Sequence, residues 1–304
     1  MMNWKSLILG AALALAGCAS TPEPLAQPKT QAVNARPALW VVKDADTTIY
    51  LFGTIHLLKP DVRWFEGRVR KAFDSSQEVV LEVVSRDDPD RQAKLMQRAL
   101  RPDGPTISSR LPEPARTRFL DALASNNLPV PVFDRTKPWF ATITLSVLPL
   151  RNYGYDPNSG ADHQIELAAV ADGKTLTGLE TADQQIGFFD DLPDDLQIAL
   201  LSETLDELPK LQDMIEKMMA AWAKGEPKTL ASLLNESVET NPELEKRLLT
   251  DRNARWADWI KARLEKPGTV FMAVGAGHLA GEKSVQAMLR QRGLVAAQLP
   301  NRAR

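Results

Sequence analysis

Apolar positions along this 304-residue chain switch between the two-residue spacing of strands and the three-to-four spacing of helices. "LWVVKD" and "TIYLFGT" are β-rich runs separated by "DADT", which predicts a hairpin. "EGRVRKAFDSS" has helical spacing, and "EVVLEVV" is the near-continuous apolar run of a strand covered on both faces. "PDRQAKLMQRAL", opened by proline, and "PEPARTRFLDALASNN" predict two helices. "TKPWFATITLSVLPLRN" is apolar throughout and fits strand or helix equally well. "DHQIELAAVADG" predicts a helix closing on Gly173, and "KTLTGLE" a strand. Residues 183–265 read as mostly helical, most clearly in "LQDMIEKMMAAWAKG" and "RNARWADWIKARLEK". "TVFMAVGAGH" returns to strand, "EKSVQAMLRQRG" is a helix stopping at Gly293, and "LVAAQLP" is a final strand. Helix following strand along the chain predicts the α/β class.

The N-terminus departs from this pattern. Lys5 precedes an apolar stretch from Leu7 to Ala16, a charged region followed by a short hydrophobic one, as in an export signal over 1–17. A spanning helix needs about 20 apolar residues. The stretch ends in Leu15-Ala16-Gly17-Cys18, which resembles a bacterial lipobox, and Cys18 is the only cysteine. An exported chain with one cysteine forms no internal disulfide, and lipid attachment at Cys18 accounts for it. Acyl chains contribute about 0.8 kcal/mol per buried CH₂, so several of them anchor durably. Ala19, rather than Asp, after the cysteine implies sorting to the outer membrane of a Gram-negative cell, facing the periplasm. "STPEPLAQPKTQAVNARP" holds four prolines and few bulky apolar residues, so 18–37 reads as a tether and 38–300 as the folded domain.

Composition adds mainly exclusions. The chain is 44% apolar and 25% charged, enough for an ordinary globular core. Its net charge is −2, with no basic run, so nucleic acid is not an expected partner.

The candidate chemistry lies in the histidines, of which there are three. "FGTIH" and "VGAGH" place His56 and His278 in one frame: strand, Gly-x-x-His, leucine, short loop, helix. Gly53 and Gly275 are expected to shape these turns. A histidine beyond a strand's carboxyl end sits where α/β sheets bind ligands, so two equivalent units packed together would bring both imidazoles to one crevice. Glu82 interrupts an apolar strand, where an unpaired carboxylate costs several kcal/mol. It therefore either reaches solvent at the strand's end or is paired or metal-bound. Two imidazoles and a carboxylate are a familiar divalent-metal set. The third histidine, His163, follows Asp162 at a helix start, and the simplest reading there is a capping Asp162 beside an exposed His163. The tryptophans read as core or substrate-wall residues, and the pair Met218–Met219 as core.

Six segments in order, "YLFGTIHLLK", "VVLEVV", "KPWFATITL", "GADHQIELAAVADGKTLTGLETADQQIGFF", "DRNARWADWIKARL" and "FMAVGAGHLAGEKSVQAML…RGL", resemble the TraB/GumN family (the TraB/PrgY/GumN/Tiki group). The resemblance covers nearly all of residues 38–299. It implies a fold related to the erythromycin-esterase and ChaN-like proteins, with two similar β/α halves around a central cleft and here a helical insertion. It implies a centre of His56, Glu82 and His278 holding a divalent ion (manganese, cobalt or zinc), with Arg252 and Asn253 at the family's Arg-Asn motif. Glu180 in "GLET" either supports that centre or caps a helix with Thr181. Arg252 is expected to hold Glu82 or stabilise an oxyanion, and Asn253 to ligate or orient. Glu82 serves as third ligand or general base. The implied activity is hydrolysis of a peptide or protein substrate at the cell envelope. The alternative is a lipoprotein that sequesters a peptide, heme or metal in the same cleft without cleaving anything, and metal-free esterase chemistry is a third possibility.

Overall fold

The hairpin forms as its sequence predicts. Strands β2 (Leu39–Lys43) and β3 (Thr47–Thr54) pair antiparallel, and the Asp44 carboxylate accepts the backbone N–H groups of Asp46 and Thr47 in the turn. The computed structural model describes residues 33–84, 90–235 and 242–301. The export signal, Cys18 and the tether as far as residue 32 lie outside the described residues.

β3 is joined in one six-stranded sheet by β5 (Glu78–Leu81), β6 (Thr175–Gly178), β7 (Gly268–Gly275) and β8 (Ala297–Gln298), in the order β6-β5-β7-β3-β2-β8. β6, β5, β7 and β3 are mutually parallel, whereas β2 and β8 form an antiparallel edge. β7 arrives last of the parallel four yet inserts between β3 and β5, in register with β3 from Thr47↔Gly268 to Thr54↔Gly275. The strands carrying the two Gly-x-x-His segments are therefore direct neighbours.

Alternation along these strands builds a core on each face. Phe52 of β3 and Phe271 of β7 point to the face covered by Trp64, Phe73 and Trp222. Ile49, Leu51, Val270, Met272 and Val274 point to the other, under Trp256, Ile260 and Leu289. The first face is packed by the helix Gly67–Asp74, whose Phe73 meets Phe271 edge-on at 5.7 Å. The second is covered by the helices Asp251–Arg263 and Val285–Gln291.

The ambiguous apolar segment is a 15-residue helix, Pro138–Asn152, buried on nearly every side. A helix apolar all round has no amphipathic period to read. The run "EVVLEVV" yields a shorter strand than expected, since pairing stops at Leu81 and leaves Glu82 just beyond the sheet. Structure also begins before Ala38. β1 (Val33–Asn34) pairs with β4 (Val62–Arg63), and Arg36 N–H donates to the carbonyl of Ala223, so 33–37 packs on the domain instead of hanging free. Among the described residues no helix is long and apolar enough to cross a membrane.

Candidate functional site

Four parallel strands end side by side, and each is followed within three residues by a titratable side chain. His56 follows β3, Glu82 follows β5, Glu180 follows β6 and His278 follows β7. All four are buried. Arg252 and Asn253 reach them from the first turn of the Asp251–Arg263 helix, behind a π-helical turn at Lys246–Thr250. They are 3% and 1% exposed, which rules out a surface ion pair as their role.

Arg252 is the hub, and every one of its five N–H donors is used. Nε donates to Glu180 Oε1 at 2.8 Å. Nη2 donates to Glu180 Oε2 at 2.8 Å and to Glu82 Oε2 at 2.7 Å. Nη1 donates to the Leu248 carbonyl at 3.1 Å and to His278 Nε2 at 2.9 Å. Phe188 and Trp256 flank the guanidinium, with ring centroids 5.0 and 4.8 Å away. A guanidinium this far from water needs such compensation. Burial alone would lower its pKa, but the charges of Glu82 and Glu180 outweigh that and raise it.

Glu82 accepts from the Gly275 N–H at 2.6 Å through Oε1 and from Gln185 at 3.2 Å through Oε2. Burial would push its pKa up, yet the Arg252 charge and the Gly275 bond help hold it down at about 2. Glu180 bonds Arg252, while Thr181 makes its capping box with Gln184.

His278 sits between a donor and an acceptor. Arg252 can only donate, so Nε2 holds the lone pair and Nδ1–H donates to Asn253 Oδ1 at 2.6 Å. Asn253 Nδ2 in turn donates to the Lys283 carbonyl at 2.8 Å, which fixes its amide orientation. Burial and the Arg252 charge push the His278 pKa down to about 3. Asn253 therefore orients the ring.

His56 shares no hydrogen bond with this network among the described residues. Its Nδ1 lies 2.9 Å from Asp162 Oδ1, and its buried Nε2 has no partner among the described residues. Burial lowers its pKa, but the charge and hydrogen bond of Asp162, aided by the Glu82 charge, overcome this and raise it. Asp162 corrects the sequence expectation: the helix Ala161–Ala171 has Gly160 as its N-cap with no side-chain cap, and the carboxylate goes to His56. His163 is half-buried and joins no part of the cluster among the described residues. Asp162, which the sequence reads only as a cap, and Gln185, which it does not single out, are the further side chains bonded to the cluster. The only local signal was a pair of polar residues at helix starts.

Gly53 and Gly275 act through close approach, since neither has a positive φ. A Cβ on Gly53 would lie 3.0 Å from Ala276 Cα, and one on Gly275 3.0 Å from Glu82 Oε1.

Among the described residues no three His, Cys, Asp or Glu side chains stand grouped as metal ligands. The donor chemistry nevertheless fits a divalent ion. His56 Nε2 is unspent, and Glu82 Oε1 lies 3.8 Å from His278 Nε2. Each imidazole has Nδ1 backed by an oxygen acceptor, as ligating histidines require. The two buried carboxylates share the Arg252 guanidinium, and Glu180 Oε1 also lies 3.7 Å from Arg255 Nη2. The constraint is that Arg252 already contacts both Glu82 and His278. Beside the cluster lies a cleft of about 670 Å³ lined by Asp183, Phe188, Glu243, Arg247, Asp251 and Arg255, with Phe188 also flanking Arg252.

A family model described as the TraB/PrgY/gumN family matches residues 38–298. The curated relatives include the uncharacterized protein YbaP of Escherichia coli (strain K12), 26% identical over 260 residues that cover 84% of this chain and 92% of the relative. YbaP of Shigella flexneri matches at the same identity and coverage. No solved structure gives a significant match.

Proposed function

The chain belongs to the TraB/PrgY/gumN family, and from that premise we propose that it is a divalent-metal-dependent hydrolase acting on peptide bonds at the bacterial cell envelope. The observation that carries the proposal is His56: a buried imidazole with Nδ1 held by Asp162 and Nε2 unspent, at the strand-end cluster that contains Glu82. In this reading the two strand–Gly-x-x-His–helix units are the similar β/α halves of an erythromycin-esterase/ChaN-like arrangement, and the helices between them are the insertion. The lipobox-like Cys18 supports an outer-membrane lipoprotein facing the periplasm.

His56 and Glu82 would hold the ion, and His278 would join them only once Arg252 Nη1 gives up its bond to Nε2. When bound, a divalent cation supplies a Lewis acid that makes hydroxide available from water near neutral pH. The rest falls to the chain's own side chains. Both Glu82 oxygens are held by hydrogen bonds, Oε1 from the Gly275 N–H and Oε2 from Arg252 and Gln185, which suits a fixed ligand. Arg252 has spent all its donors inside the protein, so its part is to keep Glu82 ionised and both Glu82 and Glu180 fixed; oxyanion stabilisation is not assigned to it. Asn253 holds His278 in the tautomer that leaves Nε2 as the lone pair. The polar cleft beyond Phe188 is the substrate's approach.

The test is elemental analysis of the purified protein together with cleavage of a diverse peptide library in manganese, cobalt or zinc. Cleavage that disappears with a chelator and in Glu82→Gln, with metal lost from His56→Ala, is the expected result. Turnover that resists chelation overturns the metal dependence. The fully bonded Arg252 favours a second reading, a binding module closed around an ion pair, and that reading predicts captured peptides that stay intact.

A further inference from the structure

We infer that Asp162 is the positioning residue of His56, holding the ring in the Nδ1–H tautomer so that Nε2 is the atom offered to the site. The inference rests on the proposed metal centre only for what Nε2 then binds; the placement stands on geometry. A carboxylate accepts, so the 2.9 Å contact puts a hydrogen on Nδ1, and in the neutral ring Nε2 is then the lone pair. In water the free imidazole makes no such fixed choice, and the partner of one nitrogen selects the role of the other.

The surrounding backbone holds this contact in place. Ala161 N–H donates to the Ile55 carbonyl at 2.8 Å, so the first turn of the Ala161–Ala171 helix is bonded to the residue before His56. Leu58 and Asp156 bridge on the other side of the histidine. Gly160 lies against the His56 peptide so closely that a Cβ there would sit 2.2 Å from the His56 carbonyl oxygen. Asp162 is in the first turn of this 11-residue helix. Its side chain is 13% exposed and caps nothing.

Only three histidines are present, so ring nitrogens can be assigned individually by NMR in ¹⁵N-histidine protein, using His56→Gln to identify the His56 signals. The measurement is made without metal, at a pH above which the His56 signals no longer move. The expected wild-type spectrum has a protonated Nδ1 and a bare Nε2. In Asp162→Ala the Nε2–H form should become the major one. Asp162→Asn keeps the side-chain shape but can accept from or donate to Nδ1, so it should show both tautomers; it decides the matter if the alanine variant does not fold. A wild-type ring carrying its hydrogen on Nε2, or a tautomer unchanged in both variants, overturns the inference. In calorimetric titration with manganese, Asp162→Ala should bind about 10–100-fold more weakly than wild type. If wild type binds no manganese, cobalt or zinc while the tautomer shifts as stated, the metal reading fails and the positioning role stands.

Discussion

Arg252 joins two buried carboxylates and a buried imidazole, and its removal should cost more than most substitutions. Arg252→Met leaves Glu82 and Glu180 buried without their common partner. Breaking a buried pair by deleting one member costs roughly 3–5 kcal/mol. Arg252→Lys keeps the charge but cannot span Glu180 bidentately while reaching Glu82 and His278, so it should fall between wild type and Met. Urea denaturation of the three proteins checks the order, and Arg252→Met with Glu82→Gln and Glu180→Gln should recover part of the loss. A loss under about 1 kcal/mol for Arg252→Met would show that the carboxylates find another partner or protonate cheaply. At this scale the sequence displays its chemistry unevenly. Glu82 stands out because it breaks an apolar run, and His56 and His278 because histidine is scarce. Asp162 does not, because the bond that gives it meaning spans 106 residues and its own neighbourhood looks like an ordinary helix start. Glu180 was readable as polar at a strand end, but nothing local separates bonding to Arg252 from capping.

Between residues, the fold positions the site through glycines that permit contact between elements. Gly160 lets the start of the Ala161–Ala171 helix lie on the His56 peptide, and Gly53 lets β3 pack on the turn after β7. Their missing Cβ atoms differ in what they would meet. At Gly160 it is a backbone carbonyl oxygen at 2.2 Å; at Gly53 it is Ala276 Cα at 3.0 Å, which would have to give by only a few tenths of an ångström. Gly160→Ala should therefore lower the melting temperature more than Gly53→Ala, and it should also disturb the His56 ring signals. Equal effects would mean that the helix start can move away from His56 without loss. Elements with a clear period were legible: the hairpin, the helices closing on Gly173 and Gly293, and the strand before His278. Pro138–Asn152 was not, because a helix buried on all sides carries no periodic signal, and the end of β5 was not, because Val83 and Val84 stay buried after pairing stops. The adjacency of β3 and β7 is a topological fact with no counterpart in local pattern, since more than 200 residues separate them.

For the whole molecule, the same buried groups tie stability to pH in separate windows. The folded pKa of His278 is depressed to about 3 from 6.5, so the unfolded chain binds a proton there that the folded chain refuses. That stabilisation is complete above pH 6.5 and is lost as pH falls from 6.5 towards 3, at up to about 1.4 kcal/mol per unit. Glu82, held at about 2 against 4.5, has the same sign, but its loss begins only below 4.5. His56 is shifted the other way: its stabilisation is complete below 6.5 and is lost as pH rises through its raised folded value. Together these place the site's greatest contribution near pH 6.5. Urea midpoints measured in chelator between pH 4.5 and 6.5 should fall on acidification in wild type, and less steeply in His278→Gln. Above pH 6.5 the wild-type midpoint should decline more than that of His56→Gln. A His278→Gln protein with the wild-type slope between 4.5 and 6.5 would show that this imidazole does not stay neutral in the fold, and the lone pair assigned to its Nε2 would have to be given up.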